Sequence, residues 1–213
     1  MTPGAEDPST PVVGVGPHPL PWPSDDRLDP ELLASGDRRN VIDRYRYWKL
    51  DAIVADLDRD RSGLHVAIQN WEHDFNIGSI VRTANAFNAG GVHIIGKRCW
   101  NRRGAMVTDR YLHVHHHDSE ESLFGWLGER GIEAVGVDNL PGSVPLETAT
   151  LPRDVCLVFG SEGLGLTPDA VAGCARLIAI TQRGSTRSLN AGAAAAIAMY
   201  HRALQHPVAE PLA

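Results

Sequence analysis

The chain has 213 residues, 43% of them hydrophobic, and a formal net charge of −6. That length and apolar content suffice for one domain core plus a tail. The acidic balance excludes a uniformly basic nucleic-acid binder, and no apolar run approaches the length of a membrane span. Cys99, Cys156 and Cys174 are odd in number and widely spaced, without a C-x-x-C pair. They read as reduced, structural thiols, and no metal centre is expected.

Eight of the 14 prolines fall in residues 1–30, among few large apolar residues. Residues 1–37 are therefore expected to be a flexible tail without a packed core. The segment has neither a basic start nor the apolar run of a signal peptide, so a cytoplasmic location is expected. Val13–Pro17 reads VGVGP but lacks the third glycine, the strand and the helix of a dinucleotide loop.

From Arg38 to about Asp58, Val41, Ile42, Tyr45, Trp48, Leu50, Ile53, Val54 and Leu57 recur at helical spacing. This predicts a helical extension over 38–62. The arginines and lysine between them, Arg39 included, form either a solvated face or a contact to an RNA backbone.

Leu64–Gln69 reads as a strand leading into a polar loop that begins at Asn70. A helix is expected from Ile77 to about Asn88, stopped by Gly90-Gly91. Its buried stripe is Ile77, Ile80, Val81, Ala84 and Phe87, which leaves Arg82 off the stripe centre. Val92–Ile95 is the next strand. The loop after it carries Lys97, Arg98, Trp100, Arg102, Arg103 and Arg110, a local positive patch that suits phosphates, with Trp100 able to stack on an unpaired base. A merely solvated loop is the alternative. The run Tyr111–Asp118, rich in histidine, reads as a strand with a polar face rather than a metal site.

Ser119 is expected to cap a helix reaching Arg130, with Gly131 ending it and Glu133–Asp138 forming a strand. The alternation predicts an α/β domain over 63–206, with a mostly parallel sheet covered by helices on both faces and a short tail at 207–213. Near its end, the strand Val155–Phe159 breaks into Gly160-Ser161-Glu162-Gly163-Leu164-Gly165. A second strand, Leu177–Ile180, opens into the loop Thr181–Arg187. Ser188 is the expected N-cap of an Ala-rich helix that packs through Leu189, Ala193, Ala196, Ile197, Tyr200 and Leu204. Two glycine-bearing strand ends beside a helix start form either a backbone-lined pocket for a flat polar molecule or two ordinary βα turns.

Three ordered stretches carry a resemblance: NWEHDFNIGSIVRT (70–83), FGSEGLGL (159–166) and ITQRGSTRSLNAGAAAAI (180–197). Together they resemble the three motifs of the SpoU (TrmH-like) RNA 2′-O-ribose methyltransferases of the SPOUT superfamily. The resemblance implies a C-terminal trefoil knot, S-adenosylmethionine bound in the knotted loops, an RNA substrate and a homodimer. It places Arg82 at the position that activates the ribose hydroxyl, with Asn70, Glu162 and Asn190 as the other polar members. It places Val137, Gly160, Ile180 and Leu189 against the cofactor, with Gly163, Gln182, Gly184 and Ser188 as neighbours. Thr181 stands where the family's third motif usually has proline. No extra RNA-binding domain precedes the first motif, which favours tRNA over rRNA. A non-catalytic RNA-binding relative is the rival. Arg82, Asn70, Glu162 and Asn190 are all present, which weighs against it.

Overall fold

A computed structural model describes residues 14–71, 76–161 and 163–207. The chain divides into two compact units, one reaching Ala55 and the other beginning at Asp56.

The first unit departs from the expected tail and continuous helix. Helix α1, Pro30–Ser35, starts with proline in its first turn, and its cap Asp29 accepts the Glu31 N–H. Single antiparallel bridges join Val15 to Asp37 and Leu28 to Trp48. Leu33, Tyr45 and Trp48 are buried around the wholly buried Asp37. Burial raises the Asp37 carboxyl, but hydrogen bonds from Arg39 and from the Arg39 and Tyr47 backbone N–H groups bring it down to about 2. Arg39 approaches it at 2.7 and 2.9 Å. Tyr47, at φ +63, breaks the helix that apolar spacing predicts. In its place stand a 3₁₀ turn, Asp43–Tyr45, and helix α2, Leu50–Asp58. A buried carboxylate needs its donors, and supplying them outweighs the helical pattern.

Among the described residues, the second unit is built on seven parallel strands. They are β1 (Ser62–Asn70), β2 (Ala89–Gly96), β3 (Val114–His117), β4 (Glu133–Val137), β5 (Val144–Pro145), β6 (Val155–Phe159) and β7 (Arg176–Ala179). The spatial order is β3-β2-β1-β6-β4-β7-β5. Inserting β6 between β1 and β4 brings the carboxyl ends of β6, β4 and β7 side by side. A break in strand order of this kind is where open α/β sheets hold ligands.

Strand alternation sorts the core onto two faces. Val155, Leu157 and Phe159 join one apolar cluster with Ile77, Ile80 and Val81 of α3 (Ile77–Ala86) and Ala195, Ala198 and Met199 of α6 (Ala191–Gln205). Cys156 and Val158 join another with Leu123 and Leu127 of α4 (Glu120–Gly128) and Ala170 of α5 (Pro168–Gly173). Helices thus cover both faces, as expected. Across the second face, buried Gln69 donates to Glu120 at 2.5 Å and to Thr167 at 2.8 Å, and so ties β1 to α4 and α5.

Two local expectations change. Helix α3 stops at Ala86 because Asn88 takes φ +45, and Asn88 donates to the carbonyls of Leu57 and Asp60. Gly90 and Gly91 lie inside β2 instead, where a Cβ on Gly90 would sit 2.8 Å from the His65 ring. Helix α6 is also turned the other way. It buries Gly192, Ala195, Ala198, Met199 and Arg202, whereas Ile197, Tyr200 and Leu204 are 43%, 57% and 61% exposed. A helix apolar on most sides carries two candidate stripes, and periodicity alone does not choose between them.

Two histidines of the run, His115 and His117, join His65 and His93 in a largely buried group on the α4 face. His65 Nδ1 lies 3.0 Å from His93 Nε2, and His93 Nδ1 lies 2.9 Å from His117 Nε2. His115 stacks on His93 with centroids 5.0 Å apart, and Trp126 closes over the group. Among the described residues no helix is long and apolar enough to cross a membrane.

Candidate active site

The strand ends of β4, β6 and β7, the loops that follow them and the start of α6 enclose a cavity of about 860 Å³. Of the residues expected to hold a cofactor, Val137, Gly160, Gly163, Ile180, Gln182, Ser188 and Leu189 line it. Gly184 does not. Asp138, Asn139, Leu164, Gly165 and Arg187 also line it; Leu164, Gly165 and Arg187 fall within the motif stretches, whereas Asp138 and Asn139 lie outside them. Inside, the Gln182 Oε1 atom is buried without a hydrogen-bond partner among the described residues. An acceptor so placed calls for a donor from a ligand.

The glycines set the cavity's shape. Gly163 and Gly165 take φ of +102 and +69, the left-handed region that glycine tolerates. The Gly165 N–H returns to the Ser161 carbonyl at 3.0 Å and closes the loop on itself. A Cβ on Gly160 would run into the backbone of Gly165 and Leu166. Gly160→Ala is therefore expected to displace this wall and weaken binding of an occupant by at least roughly tenfold, since side-chain-to-backbone overlap leaves no cheap adjustment. Calorimetric titration of the folded variant checks this, and unchanged affinity contradicts it.

Asn190, not Ser188, caps α6. Its side chain accepts the N–H groups of Gly192 and Ala193 and donates to Asn76 at 2.8 Å. It thereby joins the third motif to the start of α3. Close by, a Cβ on Gly192 would lie 2.6 Å from the Ser79 hydroxyl, so the two helices meet at their first turns. Arg82 lies one helical turn beyond that contact on the Ser79 side of α3, with its side chain exposed and outside the cavity lining. Glu162 lies outside the described residues. Thr181, in the place of the usual proline, donates its hydroxyl to Glu147 at 3.0 Å.

Asn70 is wholly buried and works on the neighbouring loop. Its amide donates to the carbonyls of Lys97 and Cys99 at 2.6 and 3.1 Å. That loop exposes Lys97, Arg98, Arg102, Arg103 and Arg110. Two of these exposed cations make loose ion pairs, Arg98 with exposed Asp118 at 3.9 Å and Arg102 with the largely buried Asp109 at 3.5 Å. Such pairs contribute little and leave the positive charge available. Trp100 is half-buried against the apolar core, with the Arg102 guanidinium 5.5 Å from its ring, and so is not the free platform expected. Arg39 belongs to the other unit, where Asp37 holds it. Met106 and Val107, both left-handed in φ and both 54% exposed, form an apolar tip between Arg103 and Arg110 that sequence patterns do not reveal.

Comparison with known proteins gives the family and the fold. Residues 63–200 match the SpoU rRNA Methylase family. YacO of Bacillus subtilis (strain 168), assigned to the TrmH family of tRNA/rRNA methyltransferases, is 28% identical over 187 residues, which are 80% of this chain and 72% of that protein. An uncharacterized tRNA/rRNA methyltransferase of Mycobacterium tuberculosis (strain ATCC 25177 / H37Ra) is 30% identical over 168 residues, 76% of this chain. The chain spans about half of that relative's length, 51%. Among solved structures, the SpoU methyltransferase AviRb of Streptomyces viridochromogenes in complex with AdoMet superposes with a TM-score of 0.63 at 25% identity, over 70% of this chain and 63% of that one. A structure concerned with 2-OH methylation of C/U34 on tRNA gives a TM-score of 0.60 at 26% identity, over 67% of this chain and 95% of that one. With the family model matching well over half of its residues, the chain belongs to the SpoU rRNA methylase family.

Proposed function

We propose that this chain is an S-adenosylmethionine-dependent RNA 2′-O-ribose methyltransferase that prefers tRNA to rRNA. The observation that carries the reading is the cavity at the ends of β4, β6 and β7, with its partnerless Gln182 acceptor and its walls of glycine backbone. Main-chain groups of Val137, Gly160, Ile180 and Leu189, with Gly163, Gly184 and Ser188 nearby, would hold the nucleoside and amino-acid parts of the donor. Gln182 Oε1 would accept from an amino or hydroxyl group of the donor. When bound, S-adenosylmethionine supplies a methyl group activated by its sulfonium. The relatives support the reading by what they do: AviRb holds AdoMet, and the tRNA enzyme methylates a 2-OH group.

Arg82 serves as a charge rather than a base. A guanidinium, with a pKa above about 12, does not give up its proton readily. Exposed on α3 one turn beyond its contact with α6, it stabilises negative charge developing on the ribose oxygen or grips the adjacent phosphate. Glu162 orients Arg82 or an amide of the pocket. Asn190 keeps the cavity rim in register with α3, and alignment of this kind can supply several kcal/mol. The exposed cations of the 97–110 loop hold the RNA backbone.

The knotted topology, the placement of the methyltransferase domain at 63–206 and a cytoplasmic location are part of the same proposal. So is a homodimer, supported by the outward apolar face of α6 at Ile197, Tyr200 and Leu204. Gel filtration is expected to give about twice the chain mass, and a fully active monomer would overturn the dimer. For the function itself, the test is transfer of radiolabelled methyl to separated tRNA and rRNA from a strain lacking this gene. Label in tRNA is expected. Label in rRNA alone would reverse the substrate preference, and no label despite donor binding would favour the non-catalytic RNA-binding reading.

A further inference from the structure

We propose that Asp138 and Asn139 form a clasp that holds the cavity's separate walls in one arrangement, which makes them positioning residues for the methyl donor. The inference rests on the cofactor reading of the cavity given above. The two residues follow β4 directly, and β4 lies between β6 and β7 in the sheet. Each of the other two walls hangs from one of those neighbours.

Beyond one bond within the pair, each hydrogen bond of the two residues reaches a different segment. Asp138 Oδ2 accepts the Leu166 N–H at 2.9 Å, at the far end of the glycine loop after β6. Asp138 Oδ1 accepts the Asn139 N–H at 2.8 Å. The Asp138 N–H donates to the Ile178 carbonyl of β7 at 3.0 Å, and the Asp138 carbonyl accepts the Ser143 hydroxyl at 2.8 Å. Asn139 Nδ2 then donates to the Arg187 carbonyl at 2.7 Å, in the loop that leads to Ser188 and Leu189. Two adjacent side chains thus fasten both walls to the end of one central strand.

The fit leaves no slack at the glycine loop. A Cβ on Gly165 would stand 2.5 Å from Asp138 Oδ2, so the carboxylate reaches Leu166 only by passing over a residue without a side chain. Both carboxylate oxygens face N–H donors. A carboxylate accepts through either oxygen, whereas an amide accepts through one and presents N–H groups from the other. Asp138→Asn keeps the size of the side chain and sets an amide donor against a backbone donor. One fastening is lost whichever way the amide turns.

The test is calorimetric titration with S-adenosylhomocysteine and steady-state methyl transfer, for wild type, Asp138→Asn and Asn139→Ala. The side chain of Asn139 is exposed, so its truncation leaves folding intact and keeps the test independent of any Asp138→Asn folding defect. Asp138→Asn is expected to weaken binding roughly tenfold to a hundredfold, and Asn139→Ala about fivefold to tenfold. Both should raise KM for the donor far more than they lower kcat. Wild-type affinity in a folded Asp138→Asn variant, or in Asn139→Ala, overturns that residue's share of the clasp. Absence of binding by the wild type itself refutes the cofactor reading, and the clasp with it.

Discussion

Arg82→Ala is expected to lower methyl transfer by roughly 10²–10³-fold, the usual cost of removing one preorganised charge from a developing oxyanion. Donor affinity should stay within about twofold of wild type, because Arg82 does not line the cavity. Arg82→Lys keeps the charge, loses the planar fork and is expected to retain part of the activity. Single-turnover kinetics at saturating RNA, paired with donor calorimetry, separate these effects. A lysine variant as inactive as the alanine variant, with RNA binding intact, would refute charge stabilisation. Loss of donor affinity in Arg82→Ala would place the residue in the cofactor site instead.

Stability is expected to fall steeply as pH drops from about 6.5, well before the carboxylates titrate. Burial, followed by the positive fields of His65, His115, His117 and Arg130, pushes His93 down to about 2. Burial, then His115, pushes His65 down to about 4, with Arg130 acting in the same direction and Asp154 opposing. Burial is also the main cause of the lowered values of His115 and His117. In the neutral line each ring donates from one nitrogen and accepts at the other, and burial disfavours adding a charge to it.

The sign follows from linkage. The folded state binds fewer protons than the unfolded chain below the ordinary histidine value. Stability is therefore complete above about 6.5 and declines as pH falls, for His65 until about 4 and for His93 further, to about 2. At up to about 1.4 kcal/mol per pH unit for each ring, these two alone remove roughly 4 to 5 kcal/mol by pH 4.5. That is comparable with the whole stability of many domains. Asp37, already held near 2, adds its own loss only below the ordinary carboxylate range, where His93 is still contributing. Urea midpoints at pH 7, 6, 5 and 4.5 measure the slope, and His93→Leu should flatten it even though it lowers the absolute stability. A midpoint constant from pH 7 to 4.5 would contradict the buried neutral line.

The elements around the site were legible because their signals are local. Glycines at 160, 163 and 165, an apolar strand before them and the S-L-N helix start point to the same cavity in sequence and in structure. What sequence patterns hid are the pairings decided by tertiary contact. Asp138 reads only as the end of a strand, and no pattern marks Asn139, until β4 is seen between β6 and β7. Arg39 reads as a free cation until the buried Asp37 is found to hold it. The outward face of α6 reads as the packed one because alanine supplies an apolar surface on both sides, and Ser188 outranks Asn190 as a cap until Asn76 is seen to fasten Asn190. The histidine run gives a strand, but not the line it forms with His65 and His93 from two other strands.

The central claim is that the group methylated is a ribose hydroxyl of RNA. The most direct measurement supplies isotopically labelled S-adenosylmethionine with unmodified RNA, digests the product to nucleosides and locates the label by mass spectrometry. The expected result is label on the sugar of one 2′-O-methylnucleoside, in a linkage that resists alkaline hydrolysis. Label on a base would contradict the account.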